Sequence, residues 1–467
     1  MKLSKIIRKI FQVVLIMLLI TKTYGQTVFS DPVLINSQIC PTSVYACDFD
    51  NDADNDVIST SYWDGIIYWH ENLDGSGNFG TAQLITNIAE GANSVYACDI
   101  DGDGDNDVIS ASWLDNKIAW YENIDGAGSF GPQQIITTSA IEAHTVYACD
   151  IDGDGDNDVL SASYGDNKIA WYKNLDGNGN FSDQIIITNS AINALSVYAC
   201  DIDGDGDNDV LSASGEDNKI ALYINTDGIG NFADQYVIST SVDRPFCVYA
   251  CDIDGDGDND VLSASENDDK IAWYENIDGR GHFGPQQIIS VEADGAEVVY
   301  ACDIDNDGDN DVLSACYWGN KIALYENIDG KGNFSEEIVI SNTAYGIFSV
   351  YAADLNGDEK IDVLSASAVG DKIEWQSNLS LSSQLEIFND ENLIYPNPTD
   401  GIINLELQDY QQIKKIEIAD INGRIIHEKS ELQLKNSIDL SKNKNGIYII
   451  KIYSDKNEFS HKILKIN

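Results

Sequence analysis

The chain has 467 residues, enough for more than one domain, and carries 78 acidic against 27 basic side chains, a net charge of -51. That charge repels nucleic acid and anionic membrane surfaces, so neither is expected as a partner. With 43% hydrophobic residues the chain can build a packed core, which argues against disorder.

At the N-terminus, Lys2, Lys5, Arg8 and Lys9 flank or precede an apolar run from Ile10 to Ile20, and Thr23-Tyr24-Gly25 offers a cleavage site before Gln26. This is the layout of a signal peptide over residues 1–25. The run is short for a membrane span, and no later segment is apolar and long enough to cross a bilayer. The mature protein is expected to be exported, with no transmembrane span.

Six of the nine cysteines, Cys47, Cys98, Cys149, Cys200, Cys251 and Cys302, are each 51 residues apart. One further step lands on Ala353 in a degenerate copy, SVYAADLNGDEKIDVLSAS, so the period predicts seven copies. Equivalent cysteines on a repeated scaffold point the same way and rarely meet with bridging geometry. Cys40, Cys247 and Cys316 lie off that position and leave a Cys247–Cys316 bridge open.

Each copy holds four short apolar pieces bounded by turn residues. In the second they are SVYACDI (94–100), DVISAS (107–112), KIAWYEN (117–123) and SFGPQQIIT (129–137). Their β-branched and aromatic content predicts four antiparallel strands per copy. Seven such units predict an all-β, seven-bladed β-propeller over residues 26–378. The seventh copy lacks its last piece after SNLSLSSQ, whereas VFSDPVLI (28–35) resembles NFSDQIII (180–187). The N-terminal strand is therefore expected to complete the seventh blade and close the ring. Trp69, Trp120, Trp171, Trp273 and Trp375 recur in the third strand and read as core.

Between the first two strands of each copy runs a loop of alternating aspartates. Numbered from Asp99, carboxylates fall at positions 1, 3, 5, 7 and 9, namely Asp99, Asp101, Asp103, Asp105 and Asp107, with Gly104 at position 6. The corresponding sets are Asp48, Asp50, Asp52, Asp54 and Asp56; Asp150, Asp152, Asp154, Asp156 and Asp158; and Asp201, Asp203, Asp205, Asp207 and Asp209. They continue with Asp252, Asp254, Asp256, Asp258 and Asp260, and with Asp303, Asp305, Asp307, Asp309 and Asp311. The seventh reads Asp354, Asn356, Asp358, Lys360 and Asp362, with a basic side chain in the loop and weaker binding expected. A hard cation with six to eight oxygen ligands suits such a loop, and calcium suits it better than magnesium. Position 7 is expected to donate its backbone carbonyl. The first copy has Ala53 at position 6, where a Cβ strains the turn.

DIDGDGDNDVLSAS followed by DGxGxF resembles the FG-GAP/VCBS-type repeat, the calcium-binding blade also found in integrin α-subunit propellers. The resemblance covers about residues 28–378. It implies up to seven structural Ca2+ ions, one in each loop joining the first two strands.

The loops joining strands two and three, and strand four to the next copy, fall on the opposite face, where the copies diverge most. Their tips place Tyr62, Trp63, Trp113, Tyr164, Tyr317 and Trp318 at the surface as candidate ligand-binding residues, with His144, Arg244, Phe246, Tyr345 and Phe348 nearby. Aromatics beside Asp and Asn suit sugar stacking or a protein partner. No Ser-His-Asp arrangement, phosphate loop or zinc pattern is present. The expected role is non-catalytic adhesion, or binding of a carbohydrate or protein. The competing class is a polysaccharide-degrading lyase or hydrolase.

After a linker at 379–391, cysteine and tryptophan vanish and lysine becomes common. Alternating apolar residues and Asn-Gly turns predict a small β-sandwich over 392–467. YPNPTDG, DINGR, DLS and NGIYIIKI resemble the type A C-terminal sorting domain of the type IX secretion system. That resemblance implies the secretion machinery as a partner. It also implies delivery to the outer surface of a Gram-negative cell, or release from it.

Overall fold

Each copy folds as one antiparallel sheet whose strands lie in chain order. In the second copy they are Ala92–Cys98, Asp107–Ser112, Lys117–Tyr121 and Gln134–Thr137. The computed structural model describes residues 27–380 and, beyond them, 393–395, 402–406, 413–420, 424–430, 435–444, 446–454 and 458–465. The expected signal peptide and nearly all of the linker lie outside the described residues. No helix occurs among those described, so none is long and apolar enough to cross a membrane.

The second strand is buried along its whole length, as in Asp107–Ser112. It lies between two partners within its sheet, and both of its faces are covered by neighbouring sheets. The hydrophobic core therefore forms between copies. One cluster joins Ile109, Ile118 and Trp120 of the second copy to Val146, Val159 and Tyr172 of the third. Another joins Val44, Ala46 and Val57 of the first copy to Leu364, Ile373 and Trp375 of the last.

The last sheet takes a strand from the other end of the chain. Val33–Ser37 pairs antiparallel with Lys372–Gln376, Val33 opposite Trp375 and Ser37 opposite Lys372. Phe29 bridges Asn378 as Phe130 bridges Asn123 in the second copy. Seven four-stranded sheets thus lie between Val33 and Gln376.

The first strands bring together a row of tyrosines. Tyr96 packs on Tyr147 at 4.8 Å between ring centroids, and the row continues through Tyr198, Tyr249 and Tyr300 to Tyr351. Tyr45 contacts Tyr96 at 4.9 Å and Tyr351 at 4.6 Å. A propeller is consistent with this arrangement.

Two recurring contacts join adjacent sheets. Fully buried Asn123 donates from Nδ2 to the Phe49 carbonyl of the preceding copy at 2.8 Å. Asn72 does the same to Leu355 of the last copy at 3.0 Å. The indole of each third-strand tryptophan lies against a glycine of the following copy. A Cβ on Gly179, where φ is +73°, would sit 2.1 Å from Trp120 Cζ2. All nine cysteines are free thiols, so no Cys247–Cys316 bridge forms.

Residues 384–467 form a second compact unit. Leu393–Tyr395, Ile402–Glu406 and Lys435–Asp439 make one sheet; Ile425–Lys429, Ile413–Asp420, Gly446–Ser454 and Glu458–Lys465 make the other. Ile403, Leu405, Ile416, Ile418, Ile438 and Ile450 form one core between them, so the unit is a β-sandwich.

Candidate metal centres and binding pocket

In the second-copy loop, Asp99 caps the turn. Its Oδ1 accepts from the Gly102 N–H at 2.7 Å and its Oδ2 from the Gly104 N–H at 3.1 Å. The turn needs left-handed backbone at position 6, and Gly104 has φ +96°. Ala53 and Glu359 take the same region at +74° and +64° in the first and seventh loops, where a Cβ makes it costly.

Positions 1, 3 and 9 converge. Carboxylate oxygens of Asp99, Asp101 and Asp107 lie within 4.8 Å of one another, as do those of Asp48, Asp50 and Asp56 and of the matching sets starting at Asp150, Asp201 and Asp252. Asp107 is buried and accepts from the Ile100 N–H at 2.9 Å and the Asn123 N–H at 2.8 Å. Burial nevertheless pushes its carboxyl up to about 7. Asp103, at position 5, accepts from the Asp105 N–H at 3.0 Å. The position-7 carboxylates do not join the cluster. That of Asp105 lies against Gly126 in the turn before the fourth strand and accepts from Asn51 Nδ2 at 2.8 Å.

Two residues around these loops were not singled out from the sequence. Position 8 is an asparagine in six copies, and Asn106 Nδ2 donates to the Asp48 carbonyl of the preceding loop at 2.9 Å. The residue after the third strand also stands beside position 3, as Glu122 does beside Asp101. In the third copy it is Lys173, which ion-pairs with Asp152 and Asp154.

On the opposite face a single pocket of about 790 Å³ is lined by all six aromatic candidates, Tyr62, Trp63, Trp113, Tyr164, Tyr317 and Trp318. They also pack on one another: Trp113 on Tyr164 at 4.9 Å, Tyr317 on Trp318 at 4.6 Å. Trp63 and Trp318 remain 66% and 60% exposed. His144, Arg244, Phe246 and Phe348 join the lining, and the exposed Tyr345 does not.

A β-bulge organises this wall. The first strand of copies two to seven shifts register next to its first residue, for example between Ala143 and Thr145, leaving His144 unpaired in the ladder. A bulge re-aims the extra side chain. The residues at this position, Asn93, His144, Leu195, Phe246, Glu297 and Phe348, all line the pocket. Burial drives the His144 imidazole down to about 4, so it stands neutral, with Nδ1 2.5 Å from the Leu195 carbonyl. Arg244 has φ +54°, at a position that is Gly91, Gly295 and Gly346 in three copies and Cys40, Glu142 and Asn193, also at positive φ, in three others, and it ion-pairs with Glu266. Glu266 also accepts from Trp318 Nε1 at 3.2 Å.

The family profile of the FG-GAP-like repeat matches six overlapping windows, 48–110, 99–161, 150–212, 201–263, 252–314 and 303–365. The chain belongs to the FG-GAP-like repeat family. The profile of the secretion system C-terminal sorting domain matches residues 393–466, which indicates export by type IX secretion to the cell surface or beyond. No curated protein matches the chain. One similar solved structure, from Bacteroides uniformis, is described as "a putative 6-phosphogluconolactonase". It shares 12% identity over 67% of this chain and 88% of that one, with a TM-score of 0.48.

The FG-GAP loops have a donor set that fits a hard cation. Three carboxylates converge in the loops starting at Asp48, Asp99, Asp150, Asp201 and Asp252, and Oδ1 of Asp50, Asp101, Asp152, Asp203 and Asp254 is buried without a hydrogen-bond partner. Such atoms are costly unless something electropositive meets them.

Proposed function

We propose that residues 26–378 form a closed, seven-bladed, calcium-stabilised FG-GAP propeller that captures a carbohydrate without turning it over. A signal peptide at 1–25 and the sorting domain at 392–467, joined through the linker at 379–391, deliver it to the outer surface or the medium. Closure is supported by the Val33–Trp375 pairing and the Tyr45–Tyr351 contact. Positions 1, 3, 5 and 9 hold the ion by carboxylate and position 7 by carbonyl. Bound calcium supplies the charge that lets these carboxylates share one site, and so fastens the first two strands of each blade.

The observation that carries the binding role is the aromatic wall of the pocket. Flat rings with exposed faces stack on sugars, and the bulge residues vary from copy to copy as ligand recognition requires. Polysaccharide degradation is the second reading, because Glu266 and Glu297 are two pocket carboxyls in unlike surroundings. A glycan array and a degradation screen on full-length protein in calcium test the pair. Binding without turnover, lost in Trp113→Ala, is expected; turnover lost in Glu297→Gln would overturn it.

A further inference from the structure

Glu297 sits on the bulge of the first strand of the sixth copy, Ala296–Cys302, and lines the pocket. It is only 4% exposed, and its Oε2 is buried with no hydrogen-bond partner. A buried polar atom left unmet costs free energy comparable to a lost hydrogen bond, and more if charged. Arg244, whose charge reaches Glu297, is already ion-paired with Glu266, which Trp318 also binds. The lining residues carry one guanidinium, that of Arg244, against three carboxyl groups, those of Glu266, Glu297 and Asp371. Burial and the Glu266 carboxylate both push Glu297 well above the usual carboxylate range. The remaining walls are aromatic, and aromatic faces attract cations. The net charge of -51 adds a long-range field that draws cationic ligands and repels anionic ones.

We infer that the pocket takes a glycan bearing free amino groups, with an ammonium seated against Glu297 and the sugar rings against the surrounding aromatics. This rests on the carbohydrate reading given above. A neutral sugar offers Glu297 Oε2 only a hydroxyl donor and leaves a buried negative charge uncompensated, whereas an ammonium meets both needs; uronate or sulfated glycans would meet like charge.

The test is calorimetric titration of the full-length, calcium-loaded protein with a β-1,4-linked glucosamine hexamer and with its fully N-acetylated counterpart. The free-amine hexamer is expected to bind at least about tenfold tighter. Glu297→Gln should remove that preference, and Trp113→Ala should weaken both ligands. Equal affinity for the two hexamers overturns the ammonium assignment and leaves the carbohydrate reading standing. A preference that survives in Glu297→Gln overturns it too, since it then comes from general surface charge. If neither hexamer binds, both readings fall for this ligand class. Should Glu297→Gln not fold, competition on the unaltered protein replaces it. Displacement of the hexamer by glucosamine but not N-acetylglucosamine supports the assignment, and equal displacement overturns it.

Discussion

Lys173 Nζ lies 3.0 Å from Asp154 Oδ2 and also ion-pairs with Asp152, so the third FG-GAP loop carries a cation of its own. The same repeat position holds Glu71, Glu122, Glu275 and Glu326 in four other copies. If Asp152 and Asp154 hold calcium as proposed, an ammonium beside them competes with the ion electrostatically. Lys173→Glu should raise the calcium affinity of this loop at least about tenfold, visible as an added tight equivalent in calorimetric calcium titration. An unchanged isotherm would show that the lysine swings clear.

Calcium removal should reverse the pH dependence of stability. Burial raises the carboxyls of Asp107, Asp158, Asp209 and Asp260 to about 7 in the folded chain. A raised carboxyl favours the folded state while protonated, and that contribution is lost as pH climbs through the folded value. The metal-free protein should therefore lose melting temperature between about pH 5 and about pH 8. The calcium-loaded protein should hold or gain over the same range, because the ion binds the ionised form. Scanning calorimetry with EDTA and with excess calcium reads both curves; parallel curves would contradict the loop assignment.

The inter-sheet asparagines should matter more than their polarity suggests. Asn225 is fully buried, donates to the Ile151 carbonyl at 2.8 Å and accepts from the Gly230 N–H at 3.1 Å. Asn225→Ala strands those groups and should cost about 2–4 kcal/mol in urea unfolding. Asn231→Ala, which removes only an exposed contact to Asp227, should cost less than about 0.5 kcal/mol.

Gly179 and Gly281 make a matched pair. Their φ values are +73° and +74°, but a Cβ would meet Trp120 at 2.1 Å in one case and Leu222 at 3.0 Å in the other. Alanine carries the same backbone penalty at both. Gly179→Ala should therefore lower the thermal midpoint clearly more than Gly281→Ala. Equal losses would mean that the indole moves aside at no cost.

The period, the four strands and the acidic loops were legible because each is written in local chemistry: alternating β-branched residues, Asp-Gly turns and carboxylates at fixed spacing. The pairing of Val33–Ser37 was legible only because the last copy lacks its own fourth strand. What stayed hidden depends on neighbouring sheets. Asn123 looks like a turn residue until Phe49 of the preceding copy is seen beside it. Tyr96 looks like any strand tyrosine until Tyr45 and Tyr147 flank it. Glu297 was missed because a bulge has no sequence signature here, although that position differs in nearly every copy. Glu266 stands where another copy has Trp113, and reads as part of a polar tip, ENDD.

The strand at Val33–Ser37 has a further consequence in time. It is made before every other strand of the repeat region, yet its partner at Lys372–Gln376 is among the last to be made. Synthesis alone cannot finish this sheet; one strand must wait unpaired while more than three hundred residues follow. Assembly is gated by a contact of very long sequence separation, which is slow to form. Until it forms, the chain presents an open β edge at each end, the state most exposed to proteases and to pairing with other chains.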